Sequence, residues 1–322
     1  MDYQAIRKKL LRWYDKNRRD LPWRRTRDPY AIWISEIMLQ QTRVAAVIPY
    51  WERFLLRFPD VESLAQAPEA EVLALWSGLG YYSRARNLQK AAKEIAQGPG
   101  TFPANYDSIR QLKGVGDYTA AAVASIAFGL PHSVVDGNVR RVVMRLQSNT
   151  EVDVQCEADQ LLDRRDSGRW NQALMELGAL VCLPKQPLCD TCPVEANCEA
   201  RKAGTQREIP PSRVRPATTR VTKTLLVFRR QQKVLLTPSP RVKGFWELPE
   251  PDTPGVGAAR MGKKLGSFRH AIMSCLYTFE VHEANLKGTS GGGRNGLRWW
   301  PVKKLEEIPL STAARKALSG LT

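Results

Sequence analysis

The chain has 322 residues, 43% of them hydrophobic and 25% charged, and its formal net charge is +17. This length suits two domains of ordinary size. No apolar stretch reaches the roughly 20 residues that a membrane-spanning helix needs, so we expect no membrane domain. The positive charge is concentrated, because residues 211–322 carry 20 Lys and Arg against 7 Asp and Glu. Such an excess favours a polyanionic partner, above all nucleic acid, although it can also serve solubility alone.

Two regions of the chain differ in hydrophobic pattern. From Tyr3 to about Arg201, apolar residues recur at helical spacing between Gly and Pro residues, which predicts an all-α region of about ten short helices. From Thr222 onward, β-branched and aromatic runs predict strands and a final helix. The runs are residues 224–228, 234–236, 276–281 and 297–300, and the helix is 312–318.

The composition between these regions predicts a linker. Residues 204–219 are rich in Pro and Arg and cannot bury a core of their own. We therefore expect an α+β chain, with a helical domain over 1–203, a linker over 204–219 and a small α+β domain over 220–322.

Four cysteines follow one another as Cys182-x6-Cys189-x2-Cys192-x5-Cys198. Short loops let the chain return the four sulfurs to one point, which is typical of metal ligands. Two disulfides are the alternative. Residues 1–20 are charge-dense and lack the apolar run of a secretory signal, so we expect a reducing cytosol, where disulfides rarely persist. Spacing alone leaves Zn²⁺ and an iron–sulfur cluster both open.

A glycine hairpin and an acidic residue precede the cysteines. Gly114-Val115-Gly116 opens a helix of small residues, and its free backbone N–H groups could hold a phosphate oxygen. An ordinary helix-turn-helix corner is the alternative. Twenty residues later, Asp136 ends an apolar run and starts a basic helix, where it could also be a simple N-cap.

The hairpin followed by Asp136 resembles the helix-hairpin-helix of base-excision DNA glycosylases, and the cysteine spacing resembles that of their endonuclease III branch. Within that branch the chain is similar to the MutY adenine DNA glycosylases over about residues 5–200. The segments that carry this similarity are 21–24 (LPWR), 33–42 (WISEIMLQQT) and 78–88 (GLGYYSRARNL). The resemblance implies a [4Fe–4S] cluster on Cys182, Cys189, Cys192 and Cys198. More weakly, residues 244–249 and 268–270 are similar to the MutT-like domain that reads 8-oxoguanine.

The implied reaction, release of adenine from deoxyribose, needs two carboxyl groups in different protonation states. Glu36 lies among Trp33, Ile37 and Met38, and an apolar surrounding favours its protonated form. It can therefore donate a proton to the base, although most helix acids are merely solvated. Asp136, at a helix start, suits the ionised role of stabilising the sugar cation. By resemblance, Asn138 and Tyr118 position these carboxylates and the hydrolytic water.

Tyr118 also bears on the type of reaction. In the bifunctional endonuclease III enzymes the matching position carries a lysine that forms a Schiff base and cuts the backbone, and a phenol cannot form that imine. We therefore expect a monofunctional adenine DNA glycosylase of base excision repair. Its partner would be double-stranded DNA with adenine opposite 8-oxoguanine or guanine, and we expect a monomer. The rivals are a bifunctional pyrimidine glycosylase and lyase, and a non-catalytic iron–sulfur DNA-binding protein.

The resemblance also implies DNA contacts. Gln41 and Tyr81 match the residues that fill the gap left by an extruded base. Trp23 and Arg24 are candidates for lining the adenine pocket, and Gln40 and Thr42 flank Gln41. Lys113, Gly114, Gly116 and Lys185 are candidates for phosphate contacts, and Ser274 is a candidate for reaching the opposite base.

Two positions depart from the family pattern. Asp117 follows the hairpin where relatives usually carry a non-acidic residue, and an acid there would weaken a phosphate contact unless it faces away. Relatives typically have Phe-Ser-His shortly after the segment that matches 268–271, whereas this chain has Ile272-Met273-Ser274. The strength of any 8-oxoguanine preference is therefore open.

Overall fold

The structure is a computed structural model that describes residues 1–211, 218–256, 259–272, 274–286 and 296–319. The chain divides into two compact units. The first comprises Met1–Ala65 and Lys90–Arg213, and the second comprises Gln66–Gln89 and Val214–Thr322. The division between Arg213 and Val214 falls within the predicted linker over 204–219, but the grouping of 66–89 with the C-terminal half differs from the predicted domains.

Helices dominate the chain up to Lys202, as the apolar spacing predicts, although the described residues of this region contain twelve rather than about ten. Their bounds are α1 Tyr3–Asn17, α2 Pro29–Leu39, α3 Val44–Arg57, α4 Val61–Gln66, α5 Glu69–Trp76, α6 Ser83–Gln97, α7 Tyr106–Gln111, α8 Asp117–Phe128, α9 Gly137–Gln147, α10 Val154–Leu161, α11 Ser167–Leu180 and α12 Glu199–Lys202. Short 3₁₀ turns lie at Pro22–Arg24, Cys189–Thr191 and Glu195–Asn197. No helix among the described residues is long and apolar enough to cross a membrane.

Two of the helices that carry the predicted chemistry, α2 and α9, begin at side-chain caps. Asp28 accepts hydrogen bonds from the backbone N–H groups of Tyr30 and Ala31, and Pro29 occupies the first turn of α2. Asp136 caps α9 by accepting from the backbone N–H of Val139. The first turns of these helices, and the side chains next to them, are thereby fixed in direction.

Two kinds of packing hold the first unit together. Its main core joins α1, α9, α10 and α11 around buried side chains such as Leu10, Val143 and Trp170. Helix α2 is buried over all residues from Tyr30 to Met38, which is unusual for a helix that contains an acid. Helix α11 approaches its neighbours at glycines: a Cβ added to Gly178 would lie 2.5 Å from Asn138 Cβ. That distance is shorter than any real contact, so this position requires glycine.

The described residues of the second unit form two sheets. Its strands are β1 Thr219–Val227, β2 Arg229–Arg230, β3 Lys233–Pro238, β4 Trp246–Glu247, β5 Arg260–Ile272, β6 Cys275–Asn285 and β7 Arg298–Pro301, with helix α13 at Thr312–Ser319. One sheet has the order β1-β6-β5, with β1 and β6 parallel and β5 and β6 antiparallel. The other joins β2, β3 and β4 in that order, and β7 also pairs with β3. The predicted fold class, a helical region followed by a small α+β domain, is confirmed.

The predicted strands 234–236 and 276–281 lie within β3 and β6, and the predicted helix lies within α13. The predicted strands 224–228 and 297–300 overlap β1 and β7 and extend one residue beyond them, at Phe228 and Leu297. The 13-residue strand β5 was missed, because its exposed side chains include Arg260, Lys263 and Lys264 and lack the apolar alternation of a half-buried strand. Three consecutive glycines at 291–293 predict a turn between the last two strands, but these residues and Met273 lie outside the described residues.

Residues 66–89 belong to the second unit through specific contacts. The Tyr82 and Phe245 rings lie 4.1 Å apart between centroids. The hydroxyl of Ser77 donates a hydrogen bond to the carbonyl of Leu310. Nothing in the local sequence of 66–89 predicts these partners, which are more than 150 residues away in the chain.

Candidate active site

A cavity of about 230 Å³ in the first unit brings together seven of the predicted site residues. They come from the Pro22–Arg24 turn, from α2 and the loop after it, from α8 and from the start of α9. These residues are Trp23, Arg24, Glu36, Thr42, Tyr118, Asp136 and Asn138. Residues from positions far apart in the sequence therefore converge on a single volume.

Glu36 is the buried acid of this cavity. The residue is 5% exposed, and one of its carboxyl oxygens accepts a 2.8 Å hydrogen bond from the Tyr118 hydroxyl. Burial raises the pKa of Glu36 to about 7, and the nearby charge of Asp136 adds to the rise. The Tyr118 hydrogen bond and the charge of Arg24 act in the opposite direction. A substantial fraction of Glu36 is therefore protonated at neutral pH and able to donate a proton.

Asp136 is held differently, by hydrogen-bond donors at the start of α9. One of its carboxyl oxygens accepts from the Val139 backbone N–H at 2.7 Å, and the other from the Asn138 side-chain amide at 2.9 Å. Donors of this kind and a helix N-terminus both favour a carboxylate. The cavity thus holds one carboxyl group that favours the protonated form and one that accepts two hydrogen bonds at the start of a helix. Such a pair can protonate a leaving group and stabilise the cation left behind.

A second buried glutamate lines the same cavity and was not predicted. Glu176 of α11, whose side chain has no exposed surface, receives hydrogen bonds from the backbone and guanidinium of Arg19 and from the guanidinium of Arg24. Burial alone would raise the pKa of Glu176, but these hydrogen bonds outweigh it and lower the pKa to about 2. The sequence carried a usable signal, because Glu176 is a single acid within the apolar run 173–183, as Glu36 is in its own helix.

Two buried arginines of α9 connect the cavity to the cysteine loop. Arg141 donates to the Asn138 side-chain oxygen at 2.9 Å and to the Cys182 carbonyl at 2.7 Å. Arg145, 1% exposed, donates to the carbonyls of Leu183 and Pro184 and to the sulfur of Cys182. Arg141 therefore links the cysteine loop to Asn138, the residue whose amide orients Asp136.

The four predicted cysteine ligands line one small cavity together with Arg145 and Arg201. Among the residues that the structure describes, no group of three or more His, Cys, Asp or Glu side chains is arranged to hold a metal ion. Four cysteines around one cavity are nevertheless the donor set that a [4Fe–4S] cluster takes. Burial raises the pKa of Cys192 to about 12 and also raises the pKa values of Cys189 and Cys198. Thiolates in this cavity would therefore need a positively charged metal centre.

The other predicted contacts of the first unit lie outside the active-site cavity. Gln41 is exposed and has φ +56°, a left-handed backbone conformation that is costly for a residue other than glycine. Gln40 donates to the Thr119 hydroxyl at 3.2 Å. The remaining residues are exposed on the hairpin before α8 or on the cysteine loop: Lys113, Gly114, Gly116 and Lys185.

Asp117, which follows the hairpin, forms an ion pair with a neighbouring arginine. Its carboxylate lies 2.5 Å from the guanidinium of Arg110. Arg110 lowers the pKa of Asp117 through this hydrogen bond. The negative charge that departs from the family pattern is therefore offset by a neighbouring cation.

Tyr81 and Ser274 belong to the second unit. The Tyr81 side chain is exposed and its φ is +47°, so it is, like Gln41, one of the five described non-glycine residues in the left-handed region. The guanidinium of Arg84 lies over the rings of both Tyr81 and Trp76, at 5.4 and 5.5 Å, and donates to the Gly80 carbonyl. Ser274 is exposed at the turn between β5 and β6.

Comparison with known proteins gives one family for the helical part of the chain. Residues 34–164 match the model of the HhH-GPD superfamily base excision DNA repair proteins. An adenine DNA glycosylase from Homo sapiens is 48% identical over 64% of this chain, and the chain spans 41% of that protein. The chain thus spans about two fifths of the length of this curated relative.

Solved structures agree with this match. A thermostable thymine-DNA glycosylase is 30% identical with a TM-score of 0.60, over 62% of this chain and 97% of that one. An endonuclease III in a non-covalent DNA complex, 23% identical with a TM-score of 0.56 over 64% of this chain and 99% of that one, shares the fold.

Proposed function

We propose that this chain, which belongs to the HhH-GPD superfamily of base excision DNA repair proteins, is a monofunctional adenine DNA glycosylase acting on adenine mispaired with 8-oxoguanine or guanine. The observation that carries the proposal is the pairing, in one cavity, of buried Glu36, which accepts a hydrogen bond from Tyr118, with Asp136, which accepts hydrogen bonds from Asn138 and Val139. Burial raises the pKa of Glu36 to about 7, which suits a proton donor. The adenine DNA glycosylase relative supports the choice of base.

Glu36 performs the first step. Its carboxyl group, kept neutral by burial, donates a proton to adenine, which turns a poor leaving group into a neutral one. The Tyr118 hydroxyl, 2.8 Å away, fixes the orientation of the carboxyl group. Trp23 and Arg24 on the cavity wall hold the base.

Asp136 performs the second step. Loss of the base leaves an oxocarbenium-like sugar, and the carboxylate, held in place by Asn138 and the start of α9, stabilises that positive charge. A water molecule then adds to the sugar carbon and releases a proton, which leaves an abasic site.

A lyase step is disfavoured by the composition of the cavity. No lysine is among the described residues that line it, and Tyr118 occupies the position where bifunctional relatives carry the imine-forming amine. The DNA backbone should therefore remain intact after base release.

Access to the base requires its extrusion from the helix. We assign Gln41 and Tyr81 to the gap, and the hairpin of Gly114 and Gly116 with Lys113 to a phosphate. Gln40 and Thr42 flank Gln41. Backbone strain at both Gln41 and Tyr81 supports functional roles for them.

We assign a [4Fe–4S] cluster to Cys182, Cys189, Cys192 and Cys198, whose side chains line one cavity. When bound, the cluster supplies the positive charge that stabilises four thiolates and fixes the loop that presents Lys185 to DNA. The catalytic residues of the reaction lie on α2, α8 and α9, outside this loop.

The domain roles follow from the same assignment. Residues 1–203 supply catalysis, 204–219 act as a linker, and 220–322 act as a MutT-like domain in which Ser274 reaches the base opposite adenine. The excess of positive charge beyond residue 211 supports a DNA-binding role for this part.

The proposal is tested with duplexes that carry adenine opposite 8-oxoguanine, guanine, cytosine or thymine. Free adenine should appear with the first two, and strand breaks should appear only after alkali. Tyr118→Lys should create some strand cleavage and a borohydride-trapped adduct. Efficient trapping by the unmutated protein would instead support a bifunctional lyase, and release of a pyrimidine would contradict the assigned substrate.

A further inference from the structure

We propose that Glu176 is a positioning residue that fixes Arg24 against the wall of the active-site cavity and screens the charge of Arg24 from Glu36. The inference rests on the proposed function, because it concerns the acid that protonates the base. Glu176 belongs to none of the sequence motifs described above, and the two steps of the proposed reaction do not use it.

The geometry singles out Glu176 as an organising centre. Its two carboxyl oxygens accept from Arg19 at 2.8, 3.0 and 2.6 Å and from Arg24 at 3.0 and 2.9 Å. The Arg24 side chain is 12% exposed, so it loses most of its hydration and has Glu176 as its anionic partner. A bidentate ion pair of this kind fixes the plane of the Arg24 guanidinium as well as its position.

Arg24 needs this partner because it shares a cavity with an acid that must stay neutral. The titratable and charged groups around Glu36 are Tyr118 from α8, Asp136 from the start of α9, Arg24 and Arg19 from the segment before α2, and Glu176 from α11. The charge of Asp136 favours the protonated form of Glu36, whereas the charge of Arg24 favours the ionised form. An arginine that contacts the base would thus remove the proton donor, unless a second carboxylate offset its charge.

A purely structural role for Glu176 makes a different prediction. If the carboxylate only joined α11 to the segment before α2, its loss would lower the amount of active enzyme without changing how the rate depends on pH. Screening predicts a shift in the pH at which the rate falls, since the reaction requires protonated Glu36 and the rate declines as pH rises through its pKa.

The test measures single-turnover adenine release from a duplex with adenine opposite 8-oxoguanine, between pH 5 and 9, with the full-length protein. Glu176→Gln should move the alkaline midpoint of the rate to lower pH by about one unit, as expected for an unscreened charge close to a carboxyl group. Arg24→Gln, which removes the charge itself, should move the midpoint to higher pH. Glu176→Asp keeps the charge and should remain close to wild type.

The control is Asp166→Asn, which removes a carboxylate from the N-terminal cap of α11, outside the cavity, and should leave the midpoint unchanged. Equal midpoints in wild type, Glu176→Gln and Arg24→Gln would overturn the proposal. Should Glu176→Gln not fold, Arg24→Gln is compared with the double variant Glu176→Gln/Arg24→Gln, which leaves no unpaired charge at position 24. A midpoint that is equal in these two proteins and higher than that of wild type supports the inference, because no charge at position 24 remains to be screened. A lower midpoint in the double variant overturns it, because Glu176 would then act on Glu36 without Arg24. Absence of adenine release by the wild type would instead reject the proposed function.

Discussion

Glu36 and Glu176 are two buried glutamates that line one cavity and behave in opposite ways. The pKa of Glu36 is raised to about 7, and that of Glu176 is lowered to about 2. Both lose their hydration, so burial cannot account for the difference. Glu36 has a neutral phenol as its hydrogen-bond donor in the cavity, whereas Glu176 is held by two guanidinium groups. In a buried site, the charge of the partner decides whether a carboxyl group acts as an acid or as an anchor.

The largest expected effect is on the rate of catalysis, and it comes from replacing Glu36, the less strongly paired of the two glutamates. Glu36→Gln keeps the size and the hydrogen bond to Tyr118 but removes the proton, so single-turnover adenine release should fall by about 10²- to 10⁴-fold with duplex binding retained. The matched control is Glu157→Gln, which changes a buried acid that does not line the cavity. A near wild-type rate for Glu36→Gln would remove Glu36 from the mechanism.

The next effect concerns stability at the more strongly paired glutamate. At pH 7, Glu176→Gln should lower the free energy of unfolding by about 3 kcal/mol, because it leaves two guanidinium groups without their anion. The folded-state pKa is about 2 against an ordinary value of 4.5, so the stabilisation by Glu176 is complete above pH 4.5 and is lost as pH falls toward 2. Thermal unfolding at pH 7, 5 and 3.5 measures this trend. A difference between wild type and variant that stays constant with pH would contradict the assignment.

The same substitution at Glu36 should stabilise the protein. Between pH 4.5 and 7 the unfolded chain ionises at this position while the folded one stays protonated, so stability falls as pH rises through this window. Glu36→Gln removes that loss and should raise the free energy of unfolding by roughly 3 kcal/mol at pH 8, with no change at pH 4. Thermal unfolding of the two proteins at both pH values checks this, and a loss of stability at pH 8 would argue against a neutral Glu36.

The smallest effect is expected at an exposed carboxylate. Asp117 pairs with Arg110 on the surface, where solvent weakens the attraction. Asp117→Asn should leave the unfolding midpoint and the rate of adenine release close to wild type. A loss of stability as large as that of Glu176→Gln would mean that the exposed Asp117–Arg110 pair stabilises the fold as much as the buried pairs of Glu176, which would contradict this expectation.

Local patterns in the sequence predicted much of the fold and part of the site. The surroundings of Glu36 were visible because Trp33, Ile37 and Met38 lie within three residues of it, and Asp136 stood at a recognisable helix start. Glu176 and Arg19 were missed because their pairing joins residues more than 150 positions apart, and a pattern search along the chain does not measure such distances. Strand β5 and the grouping of residues 66–89 were missed for related reasons. The first has polar side chains at the edge of a sheet, and the second depends on contacts with distant residues.

Because Gly178 has no side chain, α11 can approach Asn138 of α9 closely, and this spacing determines the geometry of the cavity. Any larger residue there would collide with Asn138, whose amide holds Asp136. A mutation at this position cannot be absorbed by a small separation of α9 and α11 without turning the carboxylate away from its place. Positions 138 and 178 therefore depend on each other, and we expect a substitution at Gly178 that looks like a modest packing defect to act as a loss of function.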